Sequence, residues 1–183
     1  MTVQRREKSP TPEERRSKPR GLYSVAQIQH ILRIEFARAQ RYRYPLACLL
    51  VAIDPLESVR DAHGYEVKEE VVASVVERLA QLTRSSDFLG RTADDRLMAV
   101  VPHTSVEGAR ALAKRLICGV RESPVAHLPQ PIPVTLSVGF ACSQVEAGLY
   151  FDTLLASAEA ALTEAIAAGG DRAIERVPLG PVG

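Results

Sequence analysis

The chain has 183 residues, 46% of them apolar, which is enough for one well-buried core and cramped for two. No apolar run nears the roughly 20 residues of a membrane-crossing helix, and the basic start is not followed by the apolar stretch of a secretory signal. A soluble, cytoplasmic protein is expected, with neither membrane nor nucleic acid among its partners.

The net charge of +1 hides an asymmetry: residues 1–20 hold seven Lys or Arg against three Glu. With Pro10, Pro12 and Pro19 and no apolar periodicity, this segment cannot pack a core and is expected to be a disordered basic tail. It reads either as a solvated leader or as an arm that docks on an acidic protein surface or a nucleic acid. The domain proper is assigned to 21–178, and 179–183 to a short C-terminal tail.

From Val25 to about Arg43, Ile28, Leu32, Phe36 and Ala39 recur at helical spacing, and Pro45 ends the helix. Leu46 to Ile53 is a continuous apolar run of eight residues, which fits a central strand covered on both faces. Gly64 closes a turn. A second helix is predicted over Glu66 to Thr83, with Val67, Val71, Val75, Leu79 and Leu82 inward. Two short strands follow, Phe88 to Thr92 and Leu97 to Val101, joined by the turn Ala93-Asp94-Asp95-Arg96.

Ser105 is placed to cap a third helix through Ala109, Leu112, Leu116 and Val120. A proline-rich loop with Pro124, Pro129, Pro131 and Pro133 leads to a strand over Val134 to Ala141. Asp152 is placed to cap a last helix with Leu155, Ala158, Leu162 and Ala165 inward, stopped by Gly169-Gly170. A short strand near Ala173 to Val177 closes the sheet. The order is β-α-β-β-α-β behind a leading helix, an α+β fold of ferredoxin-like type with an antiparallel-containing sheet and helices on one face.

Cys48, Cys118 and Cys142 are odd in number, widely spaced and set in apolar runs, so they read as reduced core residues. The histidines at 30, 63, 103 and 127 are scattered and give no zinc pattern. No metal site is expected from either residue type.

Three stretches carry a family resemblance. They are Glu35-Phe36-Ala37-Arg38-Ala39-Gln40-Arg41-Tyr42-Arg43-Tyr44-Pro45-Leu46, then Arg84-Ser85-Ser86-Asp87-Phe88-Leu89-Gly90-Arg91 ahead of a hairpin and Met98-Ala99-Val100-Val101-Pro102, and finally Val134-Thr135-Leu136-Ser137-Val138-Gly139. In this order and spacing they resemble the GGDEF diguanylate cyclases, over nearly everything from Gly21 to about Arg176. The resemblance implies a GGDEF-type fold and a site that joins two GTP molecules, chemistry that requires paired metal ions on hard oxygen ligands.

Against that pattern the site is degenerate. The aspartate that opens the family's Asp-x-Asp segment and binds metal is here Ala52. The signature hairpin reads Ala93-Asp94-Asp95-Arg96-Leu97: Asp95 keeps one carboxylate, Asp94 adds a side chain where a glycine is wanted, and Arg96 reverses the charge of the catalytic glutamate. The guanine-reading asparagine and aspartate correspond to Arg60 and Glu69, and the triphosphate-gripping lysine and arginine to Ile166 and Gly170. Losing these together removes several independent sources of transition-state stabilisation, so no catalytic residue and no cofactor are expected. Arg60 and Arg96 either form a metal-free anion site or are neutralised locally, Arg96 by Asp94 or Asp95 and Arg60 by Asp61 or a nearby Glu.

What survives is Arg84 and Asp87, spaced Arg-x-x-Asp, which match the family's product-inhibition site for cyclic di-GMP, with Arg115 matching a further arginine of that site. An arginine can donate to guanine O6 and N7, and a carboxylate can accept from its N1 and exocyclic amino protons. The resemblance therefore implies a cyclic di-GMP receptor that signals to a protein partner, with a ligand-bridged homodimer as one arrangement. The alternatives are that Asp87 merely caps a turn or pairs with Arg84, and that the domain is a nucleotide-independent interaction scaffold.

Overall fold

The computed structural model of the protein describes residues 22–122, 131–143 and 151–178. The basic tail, residues 179–183 and the part of the proline-rich loop with Pro124 and Pro129 lie outside the described residues.

Helix α1 spans Val25–Tyr42, and a capping box starts it: Gln27 N–H donates to the Ser24 hydroxyl, and Ser24 N–H donates to the Gln27 side chain. It ends at Arg43 in the left-handed conformation, ahead of Pro45. Strand β1 (Leu46–Asp54) follows, then α2 (Leu56–His63) and α3 (Tyr65–Leu82). The helix α2 is absent from the sequence reading, because only Leu56 and Val59 are buried on it and two apolar residues make no visible period. Gly64, at φ 89°, separates the two helices.

Strands β2 (Phe88–Arg91) and β3 (Leu97–Pro102) form the hairpin, and α4 (Val106–Arg121) is capped by the Ser105 hydroxyl as expected. Strand β4 (Thr135–Ser143), α5 (Phe151–Ala167) and β5 (Ala173–Glu175) complete the chain. Since α5 begins at Phe151, Asp152 is not its cap but sits inside the first turn, where its carboxylate suits the positive end of the helix. Its stop is as expected, with Gly169 and Gly170 both at positive φ.

The strand order is β2-β3-β1-β4-β5, with β1 in the middle and antiparallel to both β3 and β4. Strand β5 runs parallel to β4. The expectation of helices on one face is wrong. One core cluster joins the sheet to α2, α3 and α4 through residues such as Val59, Val75, Leu79 and Leu116, and a second joins the opposite face to α1 and α5 through Ile28, Leu32, Phe36, Ala158 and Leu162. The reason lies in β1 itself: its first six residues are all buried, so neither face can be left to water.

Candidate functional site

The β2–β3 connection is a single tight turn. Thr92 N–H and its hydroxyl both donate to Arg96 O, at 2.8 and 3.2 Å, which closes the loop over Ala93–Asp95. Asp94 and Asp95 stand at φ 62° and 58°, the left-handed region that glycine enters freely and that aspartate tolerates better than most side chains. Two successive residues of the turn therefore hold a backbone conformation that glycine adopts without strain.

The start of α3 packs against this turn, and there the sequence reading missed the decisive residue. Lys68 is only 4% exposed, and its ammonium donates to Asp95 Oδ2. The other carboxylate oxygen, Oδ1, accepts from the Arg91 guanidinium. Arg91 in turn grips Glu69 with two parallel bonds of 3.1 Å each. Lys68, Asp95, Arg91 and Glu69 thus form one charge network, two cations on two carboxylates. The Lys68 ammonium, first, and then Arg91 hold the Asp95 carboxyl below the usual carboxylate range, and Arg91 does the same for Glu69.

A signal for Lys68 was present: positions 68, 72, 75 and 79 recur at helical spacing, so a lysine stood in the inward stripe of α3. Val67 and Leu82, expected inward, are only partly buried.

The other positions singled out from the sequence lie on several elements. Ala52 is partly buried against the α1–α5 side of the sheet. Two residues on, Asp54 accepts from the Ser137 hydroxyl at 2.7 Å and from Asp171 N–H at 3.3 Å, a cross-strand structural role. Arg60 pairs with Glu57 at 2.7 Å and Asp61 at 3.0 Å, the local neutralisation that the sequence allows. Arg96 pairs with neither Asp94 nor Asp95, contrary to one reading, because Lys68 and Arg91 already occupy Asp95. Ile166 is exposed, and a side chain at Gly170 would meet the Asp54 carboxylate at about 3.0 Å.

These residues do not fit the magnesium ions of the family. A divalent ion needs several free oxygen ligands, yet Ala52 offers a methyl group and both Asp95 oxygens are engaged by cations. Among the described residues no three His, Cys, Asp or Glu side chains are grouped to hold a metal.

At the other end of β2 lies the Arg-x-x-Asp corner. Arg84 N–H donates to Asp87 Oδ2 at 2.7 Å and Asp87 N–H donates to Arg84 O at 3.2 Å, so the aspartate does close its own turn. Asp87 is 6% exposed, whereas Arg84 lies on the surface. From α4, Arg115 reaches the same corner and donates through Nε and a terminal nitrogen to Leu82 O, at 3.2 and 3.0 Å. The three residues expected together are therefore gathered at the junction of α3, α4 and β2. The other carboxylate oxygen, Oδ1, accepts from the Ser86 hydroxyl at 3.4 Å, so each oxygen of Asp87 carries one bond and keeps a further lone pair.

Comparison with known proteins agrees with this architecture. Residues 20–172 match the family model for the diguanylate cyclase GGDEF domain. The diguanylate cyclase DgcP of Pseudomonas aeruginosa is 28% identical over 153 residues, 83% of this chain but only 22% of that protein's length. Among solved structures, the diguanylate cyclase SiaD of Pseudomonas aeruginosa in complex with its activator SiaC superposes with a TM-score of 0.79 at 23% identity, covering 85% of this chain and 59% of that one. The GGDEF domain of DgcB from Caulobacter crescentus in complex with c-di-GMP gives 0.78 at 16% identity, covering 84% and 91%.

Proposed function

The chain belongs to the GGDEF diguanylate cyclase domain family, and from that premise we propose that it is a catalytically silent member that binds cyclic di-GMP and acts through a protein partner. One observation carries the silence: Lys68 and Arg91 occupy both oxygens of Asp95, the metal-type carboxylate that the hairpin retains. Relatives such as DgcP are named as cyclases, so the silence is a property of this chain's own substitutions rather than of the family.

Binding is supported by the corner of Arg84, Asp87 and Arg115. It uses neither metal nor any residue of the hairpin network, so loss of catalysis leaves it chemically intact. The DgcB domain, which shares the fold, carries c-di-GMP in its structure, and SiaD carries a protein activator; both precedents fit a receptor that reports to a protein. A ligand bridging two copies of the chain is one form such a receptor takes. Among the described residues no helix is long and apolar enough to cross a membrane.

A second reading, a nucleotide-independent scaffold, is favoured by the closed turn at Asp87 and by the commitment of Arg115 to Leu82 O. Calorimetric titration with cyclic di-GMP separates the two. The receptor reading predicts saturable binding in the presence of EDTA, weakened about ten- to a hundredfold by Arg84→Ala, the cost of one bidentate base contact. No binding at roughly 50 μM ligand, a free energy weaker than about −6 kcal/mol, supports the scaffold. Full binding by the Arg84→Ala, Asp87→Ala double variant shows that the ligand sits elsewhere.

A further inference from the structure

Helix α3 carries a charge imbalance on its outer face. Both of its cations are engaged elsewhere: Lys68 by Asp95, and Arg78 by Gly119 O at 3.1 Å through Nε and by the Gln81 side chain at 3.3 Å. Among its carboxylates Glu69 is gripped by Arg91. Glu66, Glu70 and Glu77 are exposed, and among the described residues none of them enters an ion pair. At 100° per residue, positions 66, 70, 73 and 77 fall within about 60° of one another, so the three carboxylates form one stripe with the small Ala73 between them. Glu66 suits the positive end of the helix, but Glu70 and Glu77 gain nothing there, and like charges four residues apart repel. A helix face that breaks its own local rule without a local compensation is a seat for a positively charged partner.

The chain carries such a partner. Residues 1–20 hold seven Lys or Arg against three Glu. They join the fold at Leu22 and Tyr23. Because the bridge of Tyr23 to Gly90 is parallel, Leu22 lies on the Asp87 side of Tyr23, and it lines a cleft with Ala80 and Thr83 at the end of α3. The segment is thus tethered about one helical turn from Glu77. The stripe from Glu66 to Glu77 is about 17 Å long, whereas a segment of this length spans up to about 66 Å when extended, so reach is no obstacle. Helix α1, on the opposite face of the sheet, offers no such seat: it exposes Arg33 and Arg41, and its one carboxylate, Glu35, is 6% exposed and held by Arg38 and Tyr44. On α2, Glu57 and Asp61 already share Arg60.

Exposed ion pairs are individually weak, so a free basic peptide at micromolar concentration leaves such a stripe largely open. A tethered segment acts at an effective concentration of roughly millimolar order, which favours the chain's own segment over that of a second copy. We propose that residues 1–20 dock along the outer face of α3 in the same chain, their lysines and arginines set against Glu66, Glu70 and Glu77. The docked segment covers that face, and a basic partner reaches it only by displacement. This inference stands apart from the cyclic di-GMP reading.

The test is limited trypsin cleavage of the full chain after Arg15 and Arg16, at about 50 mM salt, where exposed charges are weakly screened. Wild type is compared with the triple variant Glu66→Gln, Glu70→Gln, Glu77→Gln, which keeps size and helix propensity at exposed positions. The variant is expected to be cut about threefold faster, since neutralising the stripe frees the segment. Equal rates overturn the proposal. A second readout is carbodiimide cross-linking of Lys8 and Lys18, mapped by mass spectrometry on an equal mixture of ordinary and isotopically labelled chain. Links to Glu66, Glu70 or Glu77 within one chain, fading at about 0.5 M salt, are expected. Links chiefly to other carboxylates, or between ordinary and labelled chains, overturn docking on α3 in the same chain.

Discussion

Asp95 is the residue on which the proposed silence rests, because both of its carboxylate oxygens accept from internal cations, Lys68 and Arg91. Lys68 is nearly water-free, so removing its partner leaves a buried ammonium with the Glu69 carboxylate at 3.8 Å and the Tyr65 ring at 5.2 Å, neither of which replaces a direct ion pair. Asp95→Ala is therefore expected to destabilise the fold by about 3 kcal/mol, whereas Lys68→Met, which leaves Asp95 paired with Arg91, costs less; urea unfolding of both variants checks the order. The same pair predicts a pH dependence. Since the folded pKa of Asp95 lies below its unfolded value, the stabilisation is complete above about pH 5 and is lost as pH falls through the folded pKa. The gap in urea midpoint between wild type and Asp95→Asn should thus narrow from pH 7 to pH 3. A constant gap would mean that the carboxylate is not held as an ion pair.

At the scale of elements, the packing of α5 on β4 explains one of the stretches that carried the resemblance. Gly139 lies where the helix crosses the sheet, and a Cβ there would collide with the backbone N of Leu162 and the carbonyl O of Ala158. Neither backbone atom can swing aside, so Gly139→Ala is expected to cost about 3 kcal/mol or more, read as a drop in melting temperature, with overpacking as the cause. A variant that melts with the wild type would mean that α5 does not press on β4 at this point. Similar logic separates what was legible in the sequence from what was not. Helix α1, strand β1 and the capped α4 announce themselves because period, length and cap residues agree. Helix α2 stayed hidden because two buried residues do not make a period. The residues of the β2–β3 turn were legible position by position. The charge network around that turn was not, because it joins Lys68 to Asp95 across 27 positions through tertiary contact.

For the molecule as a whole, the sheet covered on both faces gives a rigid frame, and β2 separates its two chemistries by only a few residues. Arg91 at one end belongs to the closed hairpin, while Asp87 at the other belongs to the corner where Arg84 and Arg115 meet. The most direct measurement is incubation of concentrated protein with GTP and Mg²⁺, followed by chromatographic analysis of the nucleotides. A catalytically silent domain yields no cyclic di-GMP above the level given by heat-denatured protein, and accumulation of cyclic di-GMP that EDTA abolishes would contradict its silence.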